Sequence, residues 1–226
     1  MHFKIRLLAA LAVMCVYTAK SQNFGYTLAK DSSSYSSLSG ATVLVAAENF
    51  LSKSYTIHLP FTFNFCGSST DSIIVEGNGF ISFDQPKGLS TIAFNNFSSR
   101  RDTSNNYLSS ILSGVEGSGN NRILKIEFMN MAQNQLSQYD HLDYQVWLYE
   151  NGNKIEFHIG SNSYEQQELP QLIGLINRNM DTDAKAFVLS GDPANPSGSL
   201  ISGESDFTYL SGFPSSGFIY KLIPSF

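Results

Sequence analysis

Between Ile57 and Phe83 the chain reads IHLPFTFNFCG, a short polar link, then IIVEGNGFISF. No other stretch restricts the possible folds as strongly. Ile57, Leu59, Phe61, Phe63 and Phe65 alternate with Thr56, His58, Thr62 and Asn64. A repeat of two sends successive side chains to opposite faces of a sheet, so the aromatic set shares one face. Pro60 has no N–H to give to a ladder, which places this strand at an edge or at a bulge. Ile73, Ile74 and Val75 then lead into Glu76-Gly77-Asn78-Gly79 and Phe80–Phe83. Gly and Asn tolerate the positive φ that a tight hairpin or a bulge requires.

The same grammar recurs downstream. Leu124, Ile126 and Phe128 share one face of a strand over Arg122–Met131, with Lys125, Glu127 and Met129 on the other. Tyr144–Gly160 is the clearest hairpin, turning at Asn151-Gly152-Asn153. Its core face is Val146, Leu148, Ile155, Phe157 and Ile159, which leaves Trp147, Tyr149, Glu156 and His158 on the second face. Ala41–Ala47, Tyr107–Leu112, Leu172–Asn177, Lys185–Leu189 and Phe218–Ile223 read as further short strands. Asp31–Gly40 reads as a flexible or weakly extended Ser-rich approach. Pro86–Asn106 reads as a long surface loop tucked down by Leu89, Ile92, Phe94 and Phe97, and Asp192–Gly203 as loop. Turn residues between short aromatic runs, with no convincing helical period, predict an all-β fold: a single antiparallel β-sandwich of jelly-roll type.

The first twenty-one residues have the build of a secretory leader. Lys4 and Arg6 supply the positive start, Leu7–Tyr17 the apolar core, and Ala19 and Ser21 the small residues, with cleavage between Ser21 and Gln22. The apolar run is too short for a stable transmembrane helix. Met14 precedes Cys15 where a lipobox has a small residue, which argues against lipidation. The sandwich then occupies 22–226, a length suited to one large all-β domain. Loss of Lys4, Arg6 and Lys20 moves the formal charge from −5 to −8. With Arg100-Arg101 as the only basic pair, this argues against nucleic acid as a partner. After cleavage Cys66 is the one remaining cysteine, so no internal disulfide forms. It reads as a small buried hydrophobe, the sharper alternatives being an intermolecular disulfide or a nucleophile.

LPFTFNFCG followed by GNGFISF resembles the N-terminal β-sandwich module of secreted and cell-surface proteins from Gram-negative bacteria with type IX secretion. NRILKIEFMN at Asn121–Asn130, YQVWLYENGNKIEFHIG at Tyr144–Gly160 and GFIYKLIP at Gly217–Pro224 extend the resemblance. GNGFISF is also similar to nidogen-like extracellular modules. The resemblance implies a β-sandwich and no catalytic residues. Larger members carry a C-terminal sorting domain. No such stretch follows Pro224, so periplasm, cell surface and medium all stand as destinations.

No motif in the sequence carries catalysis. There is no G-x-S-x-G elbow, and His58, His141 and His158 lack metal-ligand spacing. Glu204-Ser205-Asp206 starts an E-x-D-x-x-E pattern, but Tyr209 stands at its last position. Glu127, Asp143, Glu150 and Glu156 lie on or beside strands and are the carboxylates that could pair across a sheet. Asp140 with Asp143, and Asp181 with Asp183, have the chemistry of calcium ligands without an EF-hand pattern. The reading commits to no metal, no cofactor and no catalytic residue. The candidate ligand-binding group is Trp147, Tyr149, Glu156 and His158: flat rings beside a carboxylate and an imidazole suit sugar C–H faces and hydroxyls. The competing reading packs Trp147 into the core. The function expected is an exported, non-catalytic binding or adhesion module whose partners are polysaccharide or other envelope or extracellular proteins. The alternatives are a carboxylate-pair glycan hydrolase and a structural subunit of an envelope assembly.

Overall fold

The alternating aromatic strand ends in a turn that its composition hides. Cys66 (φ 51°) and Gly67 (φ 82°) join Phe65 to Ser68, so two positive-φ residues form the hairpin loop. The stretch taken for a polar link is therefore the start of the next strand. The Cys66 side chain is buried at 2% exposure. In the computed structural model the described residues are 25–45, 53–83, 90–94, 98–99, 109–132, 140–164, 170–178, 185–203 and 206–225. The leader, Arg100-Arg101, Asp181, Asp183 and Glu204 lie outside them.

The described residues form two antiparallel sheets. In chain order the strands are β1 (Tyr26–Ser32), β2 (Thr42–Val45), β3 (Ser54–Phe65), β4 (Ser68–Glu76), β5 (Ile81–Ser82), β6 (Ser90–Phe94), β7 (Ser98–Ser99) and β8 (Ser110–Glu116). They continue as β9 (Ile123–Ala132), β10 (His141–Tyr149), β11 (Ile155–Ser163), β12 (Ile173–Asn177), β13 (Lys185–Ser190), β14 (Ser197–Ser202) and β15 (Phe218–Pro224). One sheet has the order β1-β15-β11-β10-β9-β8-β2, with β7 also on β9. The other has the order β14-β13-β12-β6-β5-β4-β3. This is the all-β sandwich that the alternation predicts. β3 is an edge strand, and its register slips between His58 and Phe63, so Pro60 sits where a missing donor costs least.

The core lies between the sheets and is built from aromatic rings. Phe128 stacks on Tyr144 at 4.7 Å, and Phe94 from the opposite sheet meets Tyr144 edge-on at 4.4 Å. All three are fully buried. Such pairs add about 0.5–1.5 kcal/mol each beyond their burial. Val146, Leu148, Ile155, Phe157 and Ile159 face this core, as alternation predicts. The turn Asn151–Asn153 is a short 3-10 turn rather than a two-residue loop, with Gly152 and Asn153 at positive φ. Asn153 Oδ1 accepts from the Asn64 amide at 2.8 Å, which fastens this hairpin to β3 of the other sheet.

Two stretches depart from the sequence reading. Ser90–Phe94, expected within a surface loop, is strand β6. It is buried throughout and paired on both sides by β5 and β12. The interior pairing sites decide its state more than the turn-rich flanks do. Ser197–Ser202, expected as loop, is edge strand β14 on β13. The segment 33–41, within what reads as a flexible or weakly extended approach, takes the extended form. β1 and β2 are the opposite edges of one sheet, so their connection crosses the outer face of that sheet. Six strand spacings come to about 29 Å, and ten residue steps reach about 35 Å at full extension, so the strap is nearly taut. It is also pinned. Ser33 N donates to Gly217 O (2.9 Å) and Gln145 Nε2 to Ser36 O (2.9 Å). Tyr35 Oη and Leu38 N donate to the two oxygens of Glu127 (2.6 and 2.9 Å). Gly160 lies directly beneath. A Cβ there would stand 2.8 Å from the Tyr35 ring and 2.7 Å from Asp143 O.

Candidate functional site: the outer face of β9, β10 and β11

The alternation that buries Tyr144, Val146 and Leu148 turns Gln145, Trp147 and Tyr149 outward. Register then aligns them with their neighbours. Glu127, Gln145, His158 and Ile219 form one rung across β9, β10, β11 and β15, and Lys125, Trp147, Glu156 and Lys221 form the next. The four residues singled out by sequence are thus brought together, on the outer face and outside the inter-sheet core. His58 and His141 stand elsewhere, on β3 and at the start of β10.

Trp147 is the centre of the group. The His158 ring lies parallel to it at 3.7 Å, and Lys125 Nζ lies 3.6 Å from its centroid. These come from the two flanking strands, so both ring faces are occupied. The ring face that the sequence reading offers to a sugar thus carries contacts from the protein itself. Trp147 Nε1 donates to Gln145 Oε1 at 2.8 Å, and Gln145 Nε2 donates to Glu127 Oε1 at 3.1 Å. The Tyr149 ring carries Lys154 Nζ at 3.8 Å over its face.

Glu156 ties the second half of the group together. Its Oε2 accepts from Tyr149 Oη and lies 2.8 Å from His158 Nε2, while Lys154 Nζ approaches Oε1 at 2.7 Å. The side chain is only 4% exposed. Burial alone would raise its pKa. The hydrogen bonds from His158, Lys154 and Tyr149 outweigh burial and push the carboxyl down to about 2 from an ordinary 4.5. The stabilisation is present above pH 4.5 and is lost as the pH falls towards 2. Urea unfolding of wild type should therefore weaken between those two pH values, and Glu156→Gln should flatten that part of the profile. An identical acid profile in the variant would show that Glu156 does not carry the dependence.

The carboxylates considered as a hydrolytic pair are all engaged. Glu127 is fully buried under the strap and accepts from Tyr35, Leu38 and Gln145. Asp143 accepts from Asn130 N and Ser161 Oγ, both at 2.7 Å. Glu150 forms a two-point bond with Arg122, whose guanidinium pulls the Glu150 carboxyl below its ordinary range. Asp31, Glu150 and Glu156 are each shifted down, opposite to what a general acid requires.

Two depressions open on this face. The first, about 300 Å³, lies between the strap and the Trp147–His158 pair. Ser33, Ser34, Tyr35, Ser36 and Gln145 contribute to its walls. The second, about 460 Å³, is bordered by Tyr149, Lys154, Arg122, Ile123 and Ile223 near the 151–153 turn. Sequence reasoning did not place Lys125, Glu127, Gln145, Lys154 or the strap at the site. Outward alternation marks Lys125 and Glu127, but the strap follows only from strand order.

No curated protein matches the chain, and no solved structure does. A family model described as NIDO related matches residues 25–224, which runs from the entry into β1 to the end of β15. That is most of the sequence, and the chain belongs to the NIDO-related family.

Proposed function

We propose that this protein is an exported, non-catalytic binding module and that its ligand is a glycan held beside Trp147 and His158. One observation carries the reading. The first depression is lined by the strap serines Ser33, Ser34 and Ser36, by Gln145, and by the aromatic residues Trp147, His158 and Tyr35. A concave site with aromatic walls and a few fixed polar groups is the usual build for a small polar ligand. The rings are held rigidly, so little entropy is lost when a ligand arrives. Membership of an extracellular-type family supports export. The likeness to surface modules of type IX-secreting bacteria is part of the same reading.

Trp147 is the only tryptophan in the chain, so its emission reports on this site alone. Titration with soluble glycans should give a saturable shift or quench of that emission, and Trp147→Ala should remove binding while the fold is kept. A survey of soluble and insoluble polysaccharides with no saturable change would overturn the glycan reading. A structural-subunit reading has one observation in its favour. Among the described residues β2 is paired on one side only, and Val43 on it is 53% exposed.

A further inference from the structure

The two depressions lie along one strand. Trp147 borders the first and Tyr149 the second. Residues two apart on a strand are about 7 Å apart on the same face, and the two ring centroids are 6.4 Å apart. The Glu156 carboxylate on the neighbouring strand is held by Tyr149, His158 and Lys154. One ligand running parallel to β10 would pass the strap serines, the indole edge and the Tyr149 ring, and reach Ile223 and Asn121 at the far end.

The charges on this face point to the class of that ligand. Lys125 pairs with Glu116 (2.6 Å), Lys154 with Glu156 (2.7 Å), Lys221 with Asp31 (2.7 Å) and Arg122 with Glu150 (2.6 Å). Arg122 and Lys154, which line the second depression, are thereby each neutralised by a carboxylate, and the residues lining the first include no Lys or Arg. An anionic chain would have to break one of these pairs and then approach a protein of formal charge −5. A neutral chain presents hydroxyls and C–H faces, which match the serines, Gln145 and the aromatic and aliphatic walls.

We infer that the ligand is a neutral, linear oligosaccharide chain lying along β10 across both depressions. This rests on the glycan reading above and goes beyond it in length, direction and charge. The test is calorimetric titration of the protein with neutral cello-, xylo-, manno- and chito-oligosaccharides, from disaccharide to hexasaccharide, with uronate and sulfated oligomers alongside. At least one neutral series should gain roughly tenfold in affinity between the disaccharide and the longer members. That affinity should change by less than about twofold when salt is raised, because no spare cation takes part. Tyr149→Ala should abolish the gain with length. Ile223→Ser, a change at the partly exposed wall of the second depression, should reduce it and serves as the test if Tyr149→Ala fails to fold. Binding without any dependence on length would overturn the inference and leave the glycan reading in place. Preference for uronate or sulfated chains with steep salt dependence would also overturn it. Failure of every saccharide to bind would remove both.

Discussion

Glu127→Ala is expected to lower the unfolding free energy by about 3–5 kcal/mol, because three buried donors lose their acceptor together. The carboxylate is fully buried on the outer face of the sheet, beneath a strap that it holds from both oxygens. Without it the Tyr35 hydroxyl, the Leu38 amide and the Gln145 side-chain amide each lose an acceptor, and a buried donor left unsatisfied costs about 1–3 kcal/mol. Glu127→Gln keeps one oxygen and the shape, so its cost should fall well below that of alanine. Urea unfolding gives the magnitudes, and limited proteolysis within 33–41 gives the location, since a released Ser-rich segment becomes cleavable. The ligand response of Trp147 should fall with it, because the strap forms one wall of the first depression. A loss under 1 kcal/mol with an uncut strap would show that Glu127 is not its latch.

Phe128→Ala should cost a similar amount, about 3–5 kcal/mol, by a different route. Phe128 is the next residue on β9 and points the other way, into the core. There it is fully buried and stacked on Tyr144 with an interplanar angle of 6°. Truncation removes the ring and leaves a cavity bounded by rings that cannot collapse freely, because Tyr144 is also held edge-on by Phe94. Phe128→Leu should recover about half of the loss. Chemical denaturation of both variants measures this, with strap proteolysis unchanged in each. If Phe128→Ala costs under 1 kcal/mol, the Phe94–Tyr144–Phe128 cluster is not the centre of the core. Glu127 and Phe128 thus test the two faces of a single strand.

Alternation made much of this legible. It assigned Val146, Leu148, Ile155, Phe157 and Ile159 to the core and Trp147, Tyr149, Glu156 and His158 to one outward face, because a half-exposed antiparallel pair follows a strict period of two. It failed where pairing rather than pattern decides. Ser90–Phe94 is too short to show a period, and its strand state comes from neighbours on both sides. Ser197–Ser202 is rich in Ser and Gly and is extended only because β13 offers it an edge. The Cys66–Gly67 turn escaped because Cys is an unusual choice for a positive φ. The state of the Trp147 ring depends on Lys125, twenty-two positions earlier in the chain, and the strap depends on the order of seven strands. Neither is local information.

The pairing of β1 with β15 has a mechanical consequence. The two strands run antiparallel, Tyr26 opposite Pro224, and the Ser225 amide donates to Gly25 O, so residues 25 and 225 leave the sheet side by side. Tension applied through those two points loads the ladder from its open end, one rung at a time, like a zipper rather than a shear joint. Pulled from those two points, the module adds almost no length while folded, and under load it yields first at its own seam.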